Sequence, residues 1–268
     1  MQTSKLGFGI VGTLDLDTVK AIAVRAEALS LDSLWVNDTP GGDSLVRLAA
    51  AASVTSTLRL ATGVISVDRK PARQIVEEVM ARGLPLDRLT IGVGSSAPPS
   101  PLRRMAENLA ILREGLDVPV MVGSLGPKMR KLGAEQSNGL LFNWLTPRFA
   151  LDTTNELRNR AADAGNVSVK SATYVRTALG DDALTRLEEE AARYSTIPSY
   201  AANFERLGIT AMETAVYGES QEAIVSGISA FDGTVDEVVV RALTPTDDLD
   251  HYIRLLEAIS PLAQSNGV

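Results

Sequence analysis

Apolar residues in this chain follow two alternating patterns. Short runs of apolar and β-branched residues occur at 6–11 (LGFGIV), 33–37 (SLWVN), 59–64 (RLATGV) and 89–93 (LTIGV). Between them lie longer stretches whose apolar positions recur every three or four residues, as at Val19, Ile22, Ala23, Ala26 and Leu29. A short apolar run bounded by turn residues reads as a buried parallel strand, and the longer period reads as an amphipathic helix. The same patterns predict strands at 119–123, 140–145, the second half of 167–179, and 237–242. Helices are predicted over 18–29, 43–53, 71–81, from the Ser/Pro loop 95–100 to about 114, and after Gly126-Pro127. Further helices are predicted over 147–164, 181–194, 198–207, 220–231 and 247–259. Local punctuation supports these assignments: Asp15 or Asp17 is placed to cap the first helix, Pro71 opens another, and Gly165-Asn166 stops a third.

Eight strands alternating with helices at this spacing predict an α/β fold, a single (β/α)8 TIM barrel over residues 1–268 with reduced insertions. A doubly wound open sheet is the alternative. Its first turn, Val11-Gly12-Thr13-Leu14, lacks the G-x-G-x-x-G fingerprint that a dinucleotide would require. Composition narrows the function classes. With 45% apolar and 22% charged residues the chain reads as globular, and at 4% aromatic its core must be built mainly from Ala, Leu, Val and Ile. A net charge of −7 argues against non-specific nucleic-acid binding. The absence of Cys removes disulfides, thiol catalysis and thiolate metal sites, and no metal site is predicted. No run reaches transmembrane length and the N-terminus has no apolar signal core, so no membrane partner is expected and a cytoplasmic protein is the default reading.

One stretch carries the first chemical hint. Residues 119–147, PVMVGSLGPKMRKLGAEQSNGLLFNWLTP, read as strand, Gly-Pro turn, helix and strand. Small residues before a helix N-terminus leave backbone N–H groups free for an anion, usually a phosphate, although many such turns bind nothing. In a TIM barrel, functional residues come from the C-terminal ends of strands. That rule selects Asp38 and Thr39, then Thr62, Gly63 and Val64, then Gly94, Ser95 and Ser96. It adds Gly123, Ser124, Leu125 and Gly126, then Asn143 and Trp144, with Tyr174, Arg176 and Arg241 from the last strands. The set is mostly small and neutral, which suits a flat ring-shaped ligand better than hydrolysis. Structural alternatives stand beside each reading. Asp38 can cap the next helix, Gly63 can serve a bulge alone, Trp144 can be a packing residue, and Arg176 and Arg241 can form ion pairs. The one histidine, His251, reads as a surface residue, and Glu188-Glu189-Glu190 as a solvated helix face.

Several blocks resemble the luciferase-like monooxygenase superfamily: Ala26-Glu27 through Leu34-Trp35-Val36-Asn37-Asp38, the run 48–52, the run 58–64, LTIGVG at 89–94, the 119–147 stretch, and YSTIPSYAANFERLG at 194–208. Within it the chain is most similar to the branch that uses the deazaflavin coenzyme F420, including methylenetetrahydromethanopterin reductases. The resemblance implies a hydride passed between the deazaflavin C5 and a small organic substrate. It implies FMN as the alternative cofactor, with a monooxygenase reaction, and a homodimer as a common assembly. By residue, it implies Asp38 near the deazaflavin ring as the catalytic candidate, and a bulge with a non-prolyl cis peptide at Gly63-Val64 behind the ring. It also implies a phosphate held at Gly123, Leu125 and Gly126, with Asn143 and Trp144 alongside. Thr39 stands where many members have His, and Ala97 where one branch places a catalytic Glu. These departures keep open a third reading, a non-catalytic flavin- or deazaflavin-binding protein.

Overall fold

The structure, a computed structural model, describes residues 3–265. The predicted strands form β1 (Lys5–Val11), β2 (Ser33–Asn37), β3 (Arg59–Thr62), β4 (Ile65–Ser66), β5 (Leu89–Gly94), β6 (Val120–Gly123), β7 (Gly139–Asn143), β8 (Lys170–Leu179), β9 (Val216–Gly218) and β10 (Glu237–Leu243). The helices are α1 (Leu16–Ala28), α2 (Ser44–Ala52), α3 (Ala72–Ala81), α4 (Pro101–Gly115), α5 (Pro127–Gln136), α6 (Pro147–Asp163), α7 (Asp181–Thr196), α8 (Pro198–Leu207), α9 (Gln221–Ser229) and α10 (Leu249–Ser265). Every pairing is parallel, and the order β10-β1-β2-β3-β5-β6-β7-β8 closes on itself because β10 also pairs with β8. The fold is a closed eight-stranded parallel barrel, an α/β TIM barrel. Among the described residues, no helix is long and apolar enough to cross a membrane.

Strand alternation sorts the side chains into two cores. One set of alternate positions (Phe8, Ile10, Leu34, Val36, Leu60, Ile91, Val120 and Val122 among them) packs outward against the helices. The other set meets inside the barrel, where Trp35, Ala61, Met121, Leu141, Ala172, Tyr174 and Val239 form a separate cluster. The helices start where the sequence supplies caps. Asp15 accepts from the amides of Asp17 and Thr18 at 3.0 and 2.9 Å, and Asp43 accepts from those of Leu45 and Val46 at 3.0 and 3.2 Å.

Three features depart from the sequence expectation. The strand expected over 59–64 breaks after Thr62 and resumes as β4. Leu60 pairs with Leu89 and Ile65 with Val93, so five steps along one strand oppose four along the other, a bulge. The strand expected to reach residue 145 ends at Asn143, because Trp144 adopts the left-handed region at φ 56°. The short strand β9 was not foreseen; it pairs with the last residues of β8, Thr177 to Leu179, beyond the end of β7.

Candidate functional site at the C-terminal rim

Two residues beyond six members of the interior cluster, the chain reaches the C-terminal rim of the barrel. Trp35 leads to Asn37, Ala61 to Gly63, Met121 to Gly123, Leu141 to Asn143, Tyr174 to Arg176 and Val239 to Arg241. Two of these six are glycine and four are polar. On the glycine side, a Cβ on Gly63 would fall 1.8 Å from the Tyr174 hydroxyl, so only glycine fits there. The Gly63–Val64 peptide is cis. The Val64 side chain crosses towards the neighbouring strands, and Cβ atoms on Gly94 and Gly123 would lie 2.9 and 3.1 Å from it. The lack of side chains at Gly63, Gly94 and Gly123 therefore makes room for Tyr174 and Val64, which fill the space beside them.

The polar side is built around one buried cation. Arg176, 3% exposed, donates to Glu190 at 2.7 Å and to the Asn143 amide oxygen at 2.6 Å. Its guanidinium lies 3.5 Å from the centre of the Trp144 ring and 4.9 Å from that of Tyr194. Tyr194 in turn meets Tyr200 edge-on at 4.7 Å, and Trp144 meets Phe204 at 5.9 Å. Burial pushes the Glu190 carboxyl up, but the charges of Arg176 and Arg241 outweigh it and hold the group below the usual carboxylate range. Glu190 was read from sequence as part of a solvated face; Glu188 and Glu189 are exposed, while Glu190 turns inward. Burial raises the hydroxyl of Tyr174 well above the ordinary tyrosine value, and with help from Tyr194 it raises that of Tyr200, so both stay neutral donors.

The remaining candidates sit around the same rim in different roles. Asp38 is buried, with one carboxylate oxygen accepting from the Ser44 amide and hydroxyl at 3.0 Å each and the other paired with Arg69. Thr62 turns its hydroxyl to the Gly92 backbone, accepting and donating at 2.9 Å. The Ser95 hydroxyl donates to Asp68 at 2.7 Å, where Arg104 also ends. At the β6–α5 turn the picture is different. Ser124 Oγ is buried without a hydrogen-bond partner, on the turn that Gly126 and Pro127 lead into α5. Arg206 donates to the Leu125 carbonyl at 3.1 Å and also bonds Asn203, whose amide nitrogen is buried and unpartnered. Arg130, in the first turns of α5, is buried with an unpartnered Nε, and its pKa is lowered by burial and by the neighbouring Arg206.

A cavity of about 720 Å³ opens beside the rim, lined by Val11, Asn37, Thr39, Glu190, Tyr194 and Arg241 among others. A second, of about 780 Å³, lies at the opposite end of the barrel, where Glu237 is satisfied by Ser33, Trp35 and Arg59. Function in this architecture belongs to the C-terminal end.

Residues 3–118 match the family model for luciferase-like monooxygenases. Solved structures of the same fold span nearly the whole length of this chain. An F420-dependent secondary alcohol dehydrogenase, in complex with an F420–acetone adduct, has a TM-score of 0.78 at 17% identity, covering 98% of this chain and 99% of its own. The coenzyme F420-dependent tetrahydromethanopterin reductase of Methanopyrus kandleri gives 0.70 at 15% identity, covering 97% and 98%. The oxygenating constituent of 3,6-diketocamphane monooxygenase from Pseudomonas putida, a type II Baeyer–Villiger monooxygenase in complex with FMN, gives 0.70 at 14%, covering 99% of each. The barrel thus brings the strand-end candidates onto one rim. Arg130, Asn203 and Arg206 were not singled out from sequence; all three lie in resembling blocks without a local signal that distinguishes them.

Proposed function

We propose that this protein is an oxidoreductase that holds coenzyme F420 across the C-terminal rim and passes a hydride between it and a small organic molecule. The observation that carries this reading is the β6–α5 turn. Three buried donors without partners, Ser124 Oγ, Arg130 Nε and Asn203 Nδ2, belong to residues tied to that one turn. Unpaired buried donors are costly, and a phosphate at a helix N-terminus satisfies them. In this reading the planar ring lies against Val64, the side chain that covers Gly94 and Gly123, with Asn143 on the neighbouring strand end.

When bound, the reduced deazaflavin supplies the hydride at its C5. The chain's own work is positioning. Val64 backs one face, and the tyrosines of α7 and α8 exclude water on one flank. Asp38, clamped by Ser44 and Arg69, holds the β2–α2 loop; in this reading it also orients substrate. FMN in place of F420, with oxygen chemistry, is the alternative, and a catalytically silent binder is the third reading.

Fluorescence titration of the purified protein with F420, FMN and FAD tests the proposal. Micromolar binding of F420 alone supports it, and preference for FMN shifts the assignment to a monooxygenase. Failure of all three to bind refutes both. With F420 bound, Asp38→Asn is expected to lower turnover more than coenzyme affinity; unchanged turnover removes Asp38 from the reaction.

A further inference from the structure

Most of the charge around the rim cavity is balanced within the fold. Glu190 is shared by Arg176 at 2.7 Å and Arg193 at 3.5 Å. Asp247 accepts from Arg186 at 2.9 and 3.3 Å and from the Tyr252 hydroxyl at 3.0 Å. Arg241 is the exception. It is 4% exposed, lines the cavity, and has no ion-pair partner among the described residues. Its Nε is unpartnered, and one of its amino groups donates to the Ala242 carbonyl. Glu190 and Asp247 are near enough to feel its charge, but their own ion pairs go to Arg176, Arg193 and Arg186, which leaves the planar fork of Arg241 with unmet donors that match a carboxylate.

A second orphan faces the same cavity. Asn37 Oδ1 is buried with no partner. Arg241 and Asn37 flank β1, paired with Gly9 and Val11, so they stand two strand spacings apart and two residues out of step, roughly 12 Å. The remaining walls combine apolar and aromatic residues such as Val11, Pro40, Tyr194 and Leu243 with the paired charges of Glu190, Arg193, Arg186 and Asp247. The cavity thus offers a cation with spare donors, a hydrogen-bond acceptor and apolar surface between its ion pairs.

We infer that this cavity takes a small organic carboxylate with an apolar or aromatic body, its carboxylate on Arg241 and a donor group at its far end on Asn37. The inference rests on the proposed function in one respect: it names this molecule's class as that of the substrate. Binding itself requires no coenzyme.

Calorimetric titration of the coenzyme-free protein with 4-hydroxybenzoate as probe tests it. The neutral 4-hydroxybenzamide is expected to bind about tenfold or more weaker, as is 4-hydroxybenzoate to Arg241→Met. Benzoate, lacking the far donor, is expected to bind several-fold weaker to the wild type but equally to Asn37→Leu. The melt of Arg241→Met is read beside its affinity: weaker probe binding in a variant that still melts cooperatively supports the assignment, and a lower melt with unchanged probe affinity would make Arg241 structural and overturn it. No binding at millimolar probe, or equal affinity for the acid and the amide in the wild type, also overturns it. F420 binding without carboxylate binding defeats this inference alone. Carboxylate binding without F420 or FMN binding defeats the coenzyme reading alone.

Discussion

The Arg176–Glu190 pair gives the sharpest energetic expectation. Arg176→Met keeps an apolar side chain against Trp144 but strips the charge from Glu190, whose side chain is 13% exposed. Breaking a buried pair by removing one partner costs about 3–5 kcal/mol. Glu190 retains the charge of buried Arg241 and, at 3.5 Å, that of Arg193, which is 66% exposed and offsets little, so the lower end, about 3 kcal/mol, is the expectation. In a chain of this size that corresponds to a fall in melting temperature of about 6 °C or somewhat more. Glu190→Gln should cost a similar amount, because it leaves the Arg176 cation with Asn143 and the Trp144 face alone. The double variant should recover about 2 kcal/mol of the summed losses, since neither charge is then stranded. The pH dependence has a definite sign. The folded-state pKa of Glu190 is depressed, so its contribution is present above the unfolded value of 4.5 and is lost as pH falls through the lower folded value. Urea unfolding of all four proteins from pH 7 to pH 3 measures both effects, with the acid slope shallower in Glu190→Gln. A loss under about 1 kcal/mol in Arg176→Met together with additive single and double variants would falsify the argument that this pair is a buried, coupled unit.

Three further outcomes are expected. Glu27, whose one carboxylate oxygen accepts from the Ser56, Thr57 and Leu58 amides at 2.7–2.9 Å, has a pKa that burial raises but these bonds lower to about 2. After allowance for solvent, Glu27→Gln should cost about 1 kcal/mol at pH 7, a difference from the wild type that shrinks as pH falls from 4.5 towards 2; a pH-independent difference in urea midpoint would contradict this. Gly63→Ala should destabilise by about 1–3 kcal/mol, because Tyr174 must move out of a packed core, and an unchanged melt would show that the Tyr174 contact is dispensable. Ser124→Ala should leave the melting temperature unchanged, since the hydroxyl bonds nothing in the fold, yet weaken F420 about fivefold; a drop in stability with unchanged affinity would assign Ser124 to the fold instead.

Much of the barrel was legible in the sequence because it rests on local signals. The strand at 33–37 and the helix at 198–207 lie where alternation, Pro198 and Gly208 place them. The break in the third strand was implied only by family resemblance, since its cause is tertiary: Tyr174 and the glycines at 94 and 123 come from other strands. Strand β9, three residues long with Tyr217 exposed, is too short for a period to register. At the site, the strand-end rule found the rim positions, and an arginine inside VVVRAL or TYVRTAL announces itself. It could not say that Arg176 is paired and Arg241 is not, because Glu190 sits in a Glu run whose members differ only in which face of α7 they occupy. The donors at the β6–α5 turn converge from α5 and α8, some seventy positions apart in the chain, a meeting that no local pattern records.

The closure of β1 against β10 also dictates how this molecule must be made. Lys5 to Gly9 find their partners at Glu237 to Arg241, among the last residues synthesised before α10. On the ribosome the nascent chain therefore carries an open sheet, with the backbone groups of β1 and of its most recent strand unpaired, until β10 has emerged. Such a late, non-local ligation of β1 to β10 favours slow folding and makes products truncated before β10 prone to aggregate rather than to survive as smaller domains. A nascent-chain complex stalled before residue 237 should accordingly be open to proteolysis, and emergence of β10 should close the ring.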